Sequence, residues 1–126
     1  MSQRNSFFVS SIAKVPRNVT RNAEHTLIFG LGPKDPVGNG GHSDADIVAA
    51  LDILEDAALR KCGGFTLHRG KGGWVDPDGK TVKEDVIILM IAGCYTSVRE
   101  LAAIGKKLFG PTAIYVKMPS GQTVLL

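Results

Sequence analysis

The stretch EDVIILMIAG, Glu84 to Gly93, constrains the fold more than any other part of the chain. Its apolar run, Val86 to Ala92, is seven residues long, far below the about 20 needed to cross a bilayer as a helix. A near-continuous β-branched run of this length reads as a central strand with both faces covered. One face would meet helices, the other a second sheet or subunit. The partner strand is GFTLHRG, Gly64 to Gly70, and between the two lies DPDG, Asp76 to Gly79. Pro77 presets the second turn position, Asp76 can bond the backbone ahead of it, and Gly79 accepts positive φ.

The rest of the chain arranges itself around this hairpin. A first strand, HTLIFGL (25–31), is followed by the Pro- and Gly-rich loop GPKDPVGNGGH, which regular structure does not accommodate. Ser43 with Asp46 three residues on marks a helix start. Ile47, Val48, Leu51, Leu54, Ala58 and Leu59 supply a helical apolar pattern, and Gly63-Gly64 stops it. A second helix is expected to open at Ser97, with Glu100 completing a capping box. Its stripe is Leu101, Ile104 and Leu108, and it ends at Gly110-Pro111. The strand TAIYVKM then turns at PSGQ into TVLL. The order β-α-β-β-α-β plus a C-terminal hairpin predicts an α+β, ferredoxin-like sandwich: one antiparallel sheet with both helices on one face. Its second face needs a cover, for which the chain offers its own arm or another copy of itself; another copy is the simplest, so a homo-oligomer is expected.

Charge divides the chain in two. The formal net charge is +3, yet residues 1–22 hold Arg4, Lys14, Arg17 and Arg21 without an acid, leaving 11 bases against 12 acids elsewhere. We read residues 1–24 as a basic arm and 25–126 as a single domain. The arm is Ser-rich and acid-poor, as transit peptides are; NSFFVSSIAKV reads equally as a strand or a packed arm. A nearly neutral body argues against a nucleic-acid-binding face. Cys62 and Cys94 are too few and too far apart for a disulfide framework or zinc site. They read as small buried residues in a reducing cytoplasm.

Three segments compete for a functional role. In the first loop, free backbone N–H groups at the helix start suit an anion. Gly40, Gly41, His42 and Ser43 are the positions that would bind it, although the segment matches neither a P-loop nor a dinucleotide fingerprint and reads equally as a plain connection. In HRGKGGW, Arg69, Lys71 and Trp74 combine bases with an aromatic, a mixture that can stack a base and hold a phosphate; Trp74 also suits a hairpin anchor or subunit contact. Glu84 stands where the polar hairpin rim passes into the buried strand. A carboxylate on such a rigid, partly desolvated element suits orienting a cation; a strand-edge charge paired with Lys71 or Lys80 is the alternative. His25, His42 and His68 are too scattered to point to a metal, and neither a metal nor a resident cofactor is expected.

TLIFGLGPKD, a helix, and then GGFTLHRGKGGWVDPDGKTVKEDVIIL resemble a group of small, largely uncharacterised phage and bacterial proteins, over about residues 26–91. Two better-understood groups share the architecture: trimeric PII-type signalling proteins, which bind nucleotides between subunits, and phage S-adenosylmethionine lyases. In the lyases a glutamate begins the third strand and a tyrosine lies about ten residues before it. Glu84 takes the glutamate position here, and Trp74 stands near the tyrosine position. AIYVKMPSGQTVLL also resembles the lyase C-terminal strand-turn-strand.

The resemblance implies a homo-oligomer, a trimer, holding a nucleotide-like or adenosyl ligand between subunits. Glu84 would orient the amine, with Gly40, Gly41, His42, Ser43, Arg69, Lys71 and Trp74 about the ligand. An S-adenosylmethionine lyase forming methylthioadenosine and homoserine lactone is the enzymatic alternative. A structural or interaction protein without a ligand is the third.

Overall fold

The computed structural model describes residues 23–33, 42–110 and 114–126. Strand β1 (Ala23–Gly30) leads to helix α1 (Asp44–Cys62) and then to the hairpin of β2 (Thr66–Val75) and β3 (Thr81–Gly93). Helix α2 (Tyr95–Phe109) and the short strands β4 (Tyr115–Lys117) and β5 (Thr123–Leu125) complete the described elements. The strands form one sheet in the order β2-β3-β1-β4-β5, antiparallel at every junction. β1 and β2, each antiparallel to β3, therefore run parallel on either side of it. This is the split β-α-β order expected for a ferredoxin-like sandwich, with β5 added outside β4.

Alternation along the strands decides which side is core. Leu27 and Phe29 of β1, Ile87, Leu89 and Ile91 of β3 and Val116 of β4 are buried toward the helices, and Leu27 is flanked by Leu89 on one side and Val116 on the other. The helices meet this face with Leu54, Ala57, Ala58, Val98, Leu101 and Phe109. The α1 stripe differs from the sequence expectation: Val48 and Leu59 are 58% and 50% exposed, while Ala50 and Ala57 are buried beside Ile47 and Leu54. Spacings of three, seven and ten residues keep Ile47, Ala50, Leu54 and Ala57 on one helical face, whereas Val48 is turned about 100° from Ile47.

The helix ends show which capping signals hold. Ser43 is extended (φ −69°, ψ 156°) and its hydroxyl accepts a hydrogen bond from the Asp46 N–H at 3.1 Å, while Gly63 closes α1 in the left-handed region. Ser43→Ala is expected to destabilise the fold by about 1 kcal/mol, seen as a lower urea midpoint with an unchanged slope. The start of α2 corrects the expectation: Cys94, not Ser97, is the N-cap, and the Val98 N–H donates to the Cys94 carbonyl at 3.1 Å. Val98 is fully buried, so the helix has already begun when it reaches the core. Glu100 pairs with Lys61 at 3.0 Å, tying α2 to the last turn of α1.

The hairpin turn forms as read: Asp76 Oδ1 accepts from the Asp78 and Lys80 N–H groups, and Gly79 has φ +85°. No helix of the described residues is long and apolar enough to cross a membrane. The sheet's second face, which carries Thr26, Ile28, Ile88, Met90 and Tyr115, has no described element over it. The cover expected there is not found within the chain's described residues.

Candidate functional site

The uncovered face deepens into a cleft of about 980 Å³ at the end where β1 finishes and β3 begins, lined by Ile28, Glu84 and Val86 and by the aromatic rings of Trp74 and Tyr115. Register explains the assembly. Glu84 lies opposite Gly72, Val86 between Gly30 and Gly70, and Ile28 between Ile88 and Tyr115. Residues paired in this way share a face. Two steps along β2 from Gly72, Trp74 joins the same side, 45% exposed, as is Tyr115.

Small residues keep the cleft open. A Cβ on Gly72 would stand 3.0 Å from Val86 Cγ1, and one on Gly70 would stand 3.3 Å from Ile88 Cδ1. The β3 side chains thus lean across the edge strand, leaving a low floor beside the Trp74 ring.

Among the described residues that line this cleft Glu84 is the acid, and its carboxylate is held. Its Oε1 accepts a hydrogen bond from the Gly32 N–H at 2.7 Å. The chain brings that N–H to it in two moves. The Leu31 N–H donates to the Asp85 carbonyl at 2.9 Å, extending the β1–β3 ladder by one residue, and Gly32 then adopts φ +88°, a conformation for which glycine has no steric cost. A carboxylate fixed through one oxygen on a backbone N–H presents its charge in a set direction.

His42 closes the end of the cleft nearest the helices. Its Nε2–H donates to the Phe109 carbonyl at 2.6 Å, and the two rings meet edge-on, centroids 6.3 Å apart. The acceptor is one of the carbonyls left open at the C-terminus of α2, so His42 ties the entry of α1 to the exit of α2.

The sequence-derived residues separate into three groups. Glu84, His42 and Trp74 line the one cleft. Arg69 and Lys71 do not line it: they alternate with Gly70 and Gly72, opposite Ile87 and Asp85, on the other side of the hairpin. Lys71 pairs there with Asp85 at 3.5 Å, largely exposed, so the ion-pair alternative for Glu84 fell to its neighbour in sequence. Ser43 is engaged as the α1 cap, and Gly40 and Gly41 lie outside the described residues. Sequence reasoning missed Gly30, Gly32 and Tyr115 as site residues. The signals were the GLG that ends β1 and the alternation in AIYVKM, which puts Tyr115 opposite the buried Ile114 and Val116.

The cysteines stand away from the cleft and correct the expectation of two buried thiols: Cys62 is half-buried and Cys94 exposed. Burial pushes the Cys62 thiol up, with Cys94 adding to the rise and Lys61 opposing it. Hydrogen bonding to Ser97 brings the Cys94 thiol down.

No family model matches the sequence, and no curated protein matches it either. Solved structures do match the fold. One is a phage SAM lyase in complex with S-methyl-5'-thioadenosine, at 12% identity and TM-score 0.61, covering 84% of this chain and 89% of that one. Another is a phage SAM lyase in the apo state, at 13% identity and TM-score 0.53, covering 90% and 95%. The chain has the architecture of these lyases over nearly its whole length. At this identity the likeness establishes the fold.

Proposed function

We propose that the cleft binds an adenosyl compound bearing a cationic group, with the Glu84 carboxylate facing the cation and the Trp74 and Tyr115 rings beside the nucleoside. The observation that carries this reading is the held carboxylate of Glu84 on the open sheet face, between two exposed aromatic rings, in a fold shared with a lyase complexed to S-methyl-5'-thioadenosine. The cleft, about 980 Å³, is roomy enough for a nucleoside with its side chain; small-ligand sites span about 300–1,000 Å³. Aromatic faces suit a purine and, at their π-surface, a cation.

The same reading includes a homo-oligomer, a trimer, with ligand held where copies meet. Support comes from the exposed apolar side chains around the cleft: Trp74, Tyr115 and Leu125 are 45%, 45% and 68% exposed. A face of this kind is a common site of association between copies.

A second reading adds chemistry, and the lyase architecture is what favours it. S-adenosylmethionine can react with itself: its carboxylate oxygen attacks its own γ-carbon, the carbon–sulfur bond breaks, and the electron pair leaves with the neutral thioether. The products are homoserine lactone and methylthioadenosine. Such a step asks the protein to fold the substrate into a near-attack shape and to hold its amine, a task suited to one fixed carboxylate.

Calorimetry with S-adenosylmethionine and with methylthioadenosine tests the first reading, and chromatography of the incubated mixture tests the second. Saturable heat with both compounds is expected. Absence of heat with either would overturn the binding proposal; heat without methylthioadenosine formation would leave a binding protein and remove the enzyme.

A further inference from the structure

Gly30 has no backbone reason to be glycine. It is the last residue of β1, paired with Val86, and it is not one of the glycines with positive φ, which begin two residues later at Gly32. Glycine within a strand weakens it, and its usual meaning is the close approach of another group. Here that group is identified. A Cβ on Gly30 would stand 2.5 Å from Glu84 Oε2, 2.6 Å from Oε1 and 2.7 Å from the carboxyl carbon, and these are the three nearest atoms to it. The side chain of Glu84 lies across the bare backbone of Gly30 and reaches the Gly32 N–H beyond it.

We infer that Gly30 is a positioning residue for Glu84: the missing side chain makes the recess in which the carboxylate lies, and Gly32 supplies the bond that holds it there. This rests on the reading of Glu84 as the group that meets the ligand's cation, and it adds what sets that group's height and direction. Any side chain at position 30 lifts the carboxylate off the Gly32 N–H and into the cleft, toward the volume assigned to the ligand. Glycines 30 and 32 thereby act as a pair, one by leaving space and one by turning its N–H back.

A double-mutant cycle on thermal stability tests the inference without any ligand. In the natural background, Gly30→Ala should lower the melting temperature slightly or leave it unchanged, because the carboxylate is the end of a flexible side chain and swings aside at the cost of its bond to the Gly32 N–H. In a Glu84→Ala background the same change should raise it, since alanine restricts the unfolded chain more than glycine and the strand conformation accepts it. An equal effect in the two backgrounds would overturn the inference.

A second readout follows the Gly32 amide by ¹⁵N–¹H correlation. Its resonance should move in Gly30→Ala as it does in Glu84→Ala, while amides in β4 and β5 stay in place; an unmoved Gly32 amide in Gly30→Ala would also overturn the inference. With S-adenosylmethionine as the probe, Gly30→Ala should bind about tenfold more weakly, the scale of a misdirected charge-assisted contact. If the natural protein binds no S-adenosylmethionine, the ligand reading fails, and the stability cycle still decides the role of Gly30.

Discussion

Gly105→Ala is expected to destabilise the protein by about 3 kcal/mol, the upper part of the range for overpacking a buried site. Judged from helix propensity alone, the opposite sign is expected: alanine in a helix interior is favoured over glycine by about 1 kcal/mol. The packing reverses this. Gly105 lies on the buried side of α2, and a Cβ there would fall within the ring of Phe29, whose Cε1, Cδ1 and Cζ are its three nearest atoms. Phe29 is fully buried in β1 and in contact with Phe109, ring centroids 5.9 Å apart, so the ring has no vacant space to move into. Either α2 rises from the sheet or Phe29 leaves its place. Urea unfolding should show a markedly lower midpoint, and Phe29→Leu in the same chain should recover part of the loss by removing the ring edge. A Gly105→Ala protein as stable as the natural one would show that α2 does not rest on Phe29 as described.

The legible part of this structure is the part written in local chemistry and period. The strands in EDVIILMIAG and HTLIFGL were legible from their apolar runs, whereas the core side of β3 was not, because Val86 to Ala92 is apolar on both faces and the register with β1 decides which one meets the helices. The Gly63 and Gly110 stops and the Asp76–Gly79 turn were legible because each depends on a conformation available to few residue types. The start of α2 was not legible in the same way. Ser97 and Glu100 have the capping-box spacing, but burial of Val98 and the Lys61–Glu100 pair place both residues inside the helix, and neither is visible until α1 and α2 are side by side.

The site divides along the same line. Glu84 and Trp74 were found from position in the hairpin, and His42 from the loop, but Arg69 and Lys71 were joined to them by nearness in sequence. In a strand, neighbours in sequence point to opposite faces, so the sorting of HRGKGGW into Gly70, Gly72 and Trp74 on the cleft side and Arg69 and Lys71 on the other is a consequence of β2 being regular. Gly30, Gly32 and Tyr115 come to the cleft through pairing of β1 with β3 and β4. Tyr115 stands 31 residues after Glu84 in the chain, a separation over which no local signal operates. Its ring supplies the cleft with a phenol that the Trp74 position does not have.

Glu84→Gln is expected to weaken S-adenosylmethionine binding by roughly 10- to 150-fold while leaving methylthioadenosine binding nearly unchanged. The contrast follows from charge. S-adenosylmethionine carries an ammonium and a sulfonium, whereas methylthioadenosine keeps the nucleoside and a neutral thioether. Glutamine retains the shape of glutamate, and its amide oxygen can accept from the Gly32 N–H as Oε1 does at 2.7 Å, so the recess over Gly30 stays filled and the carboxylate charge alone is lost. Hydrogen bonds between charged groups contribute about 1.5–3 kcal/mol, which sets the expected range. Titration calorimetry at two salt concentrations measures it. The natural protein should lose S-adenosylmethionine affinity as salt rises, since Glu84 is only half-buried and screening reaches it, and the Gln variant should show a flatter dependence. Equal weakening of both compounds would mean that Glu84 shapes the cleft without meeting a cation. An unchanged affinity for S-adenosylmethionine would place the ligand away from Glu84 altogether, and with it the recess that Gly30 and Gly32 make would have no part in recognition.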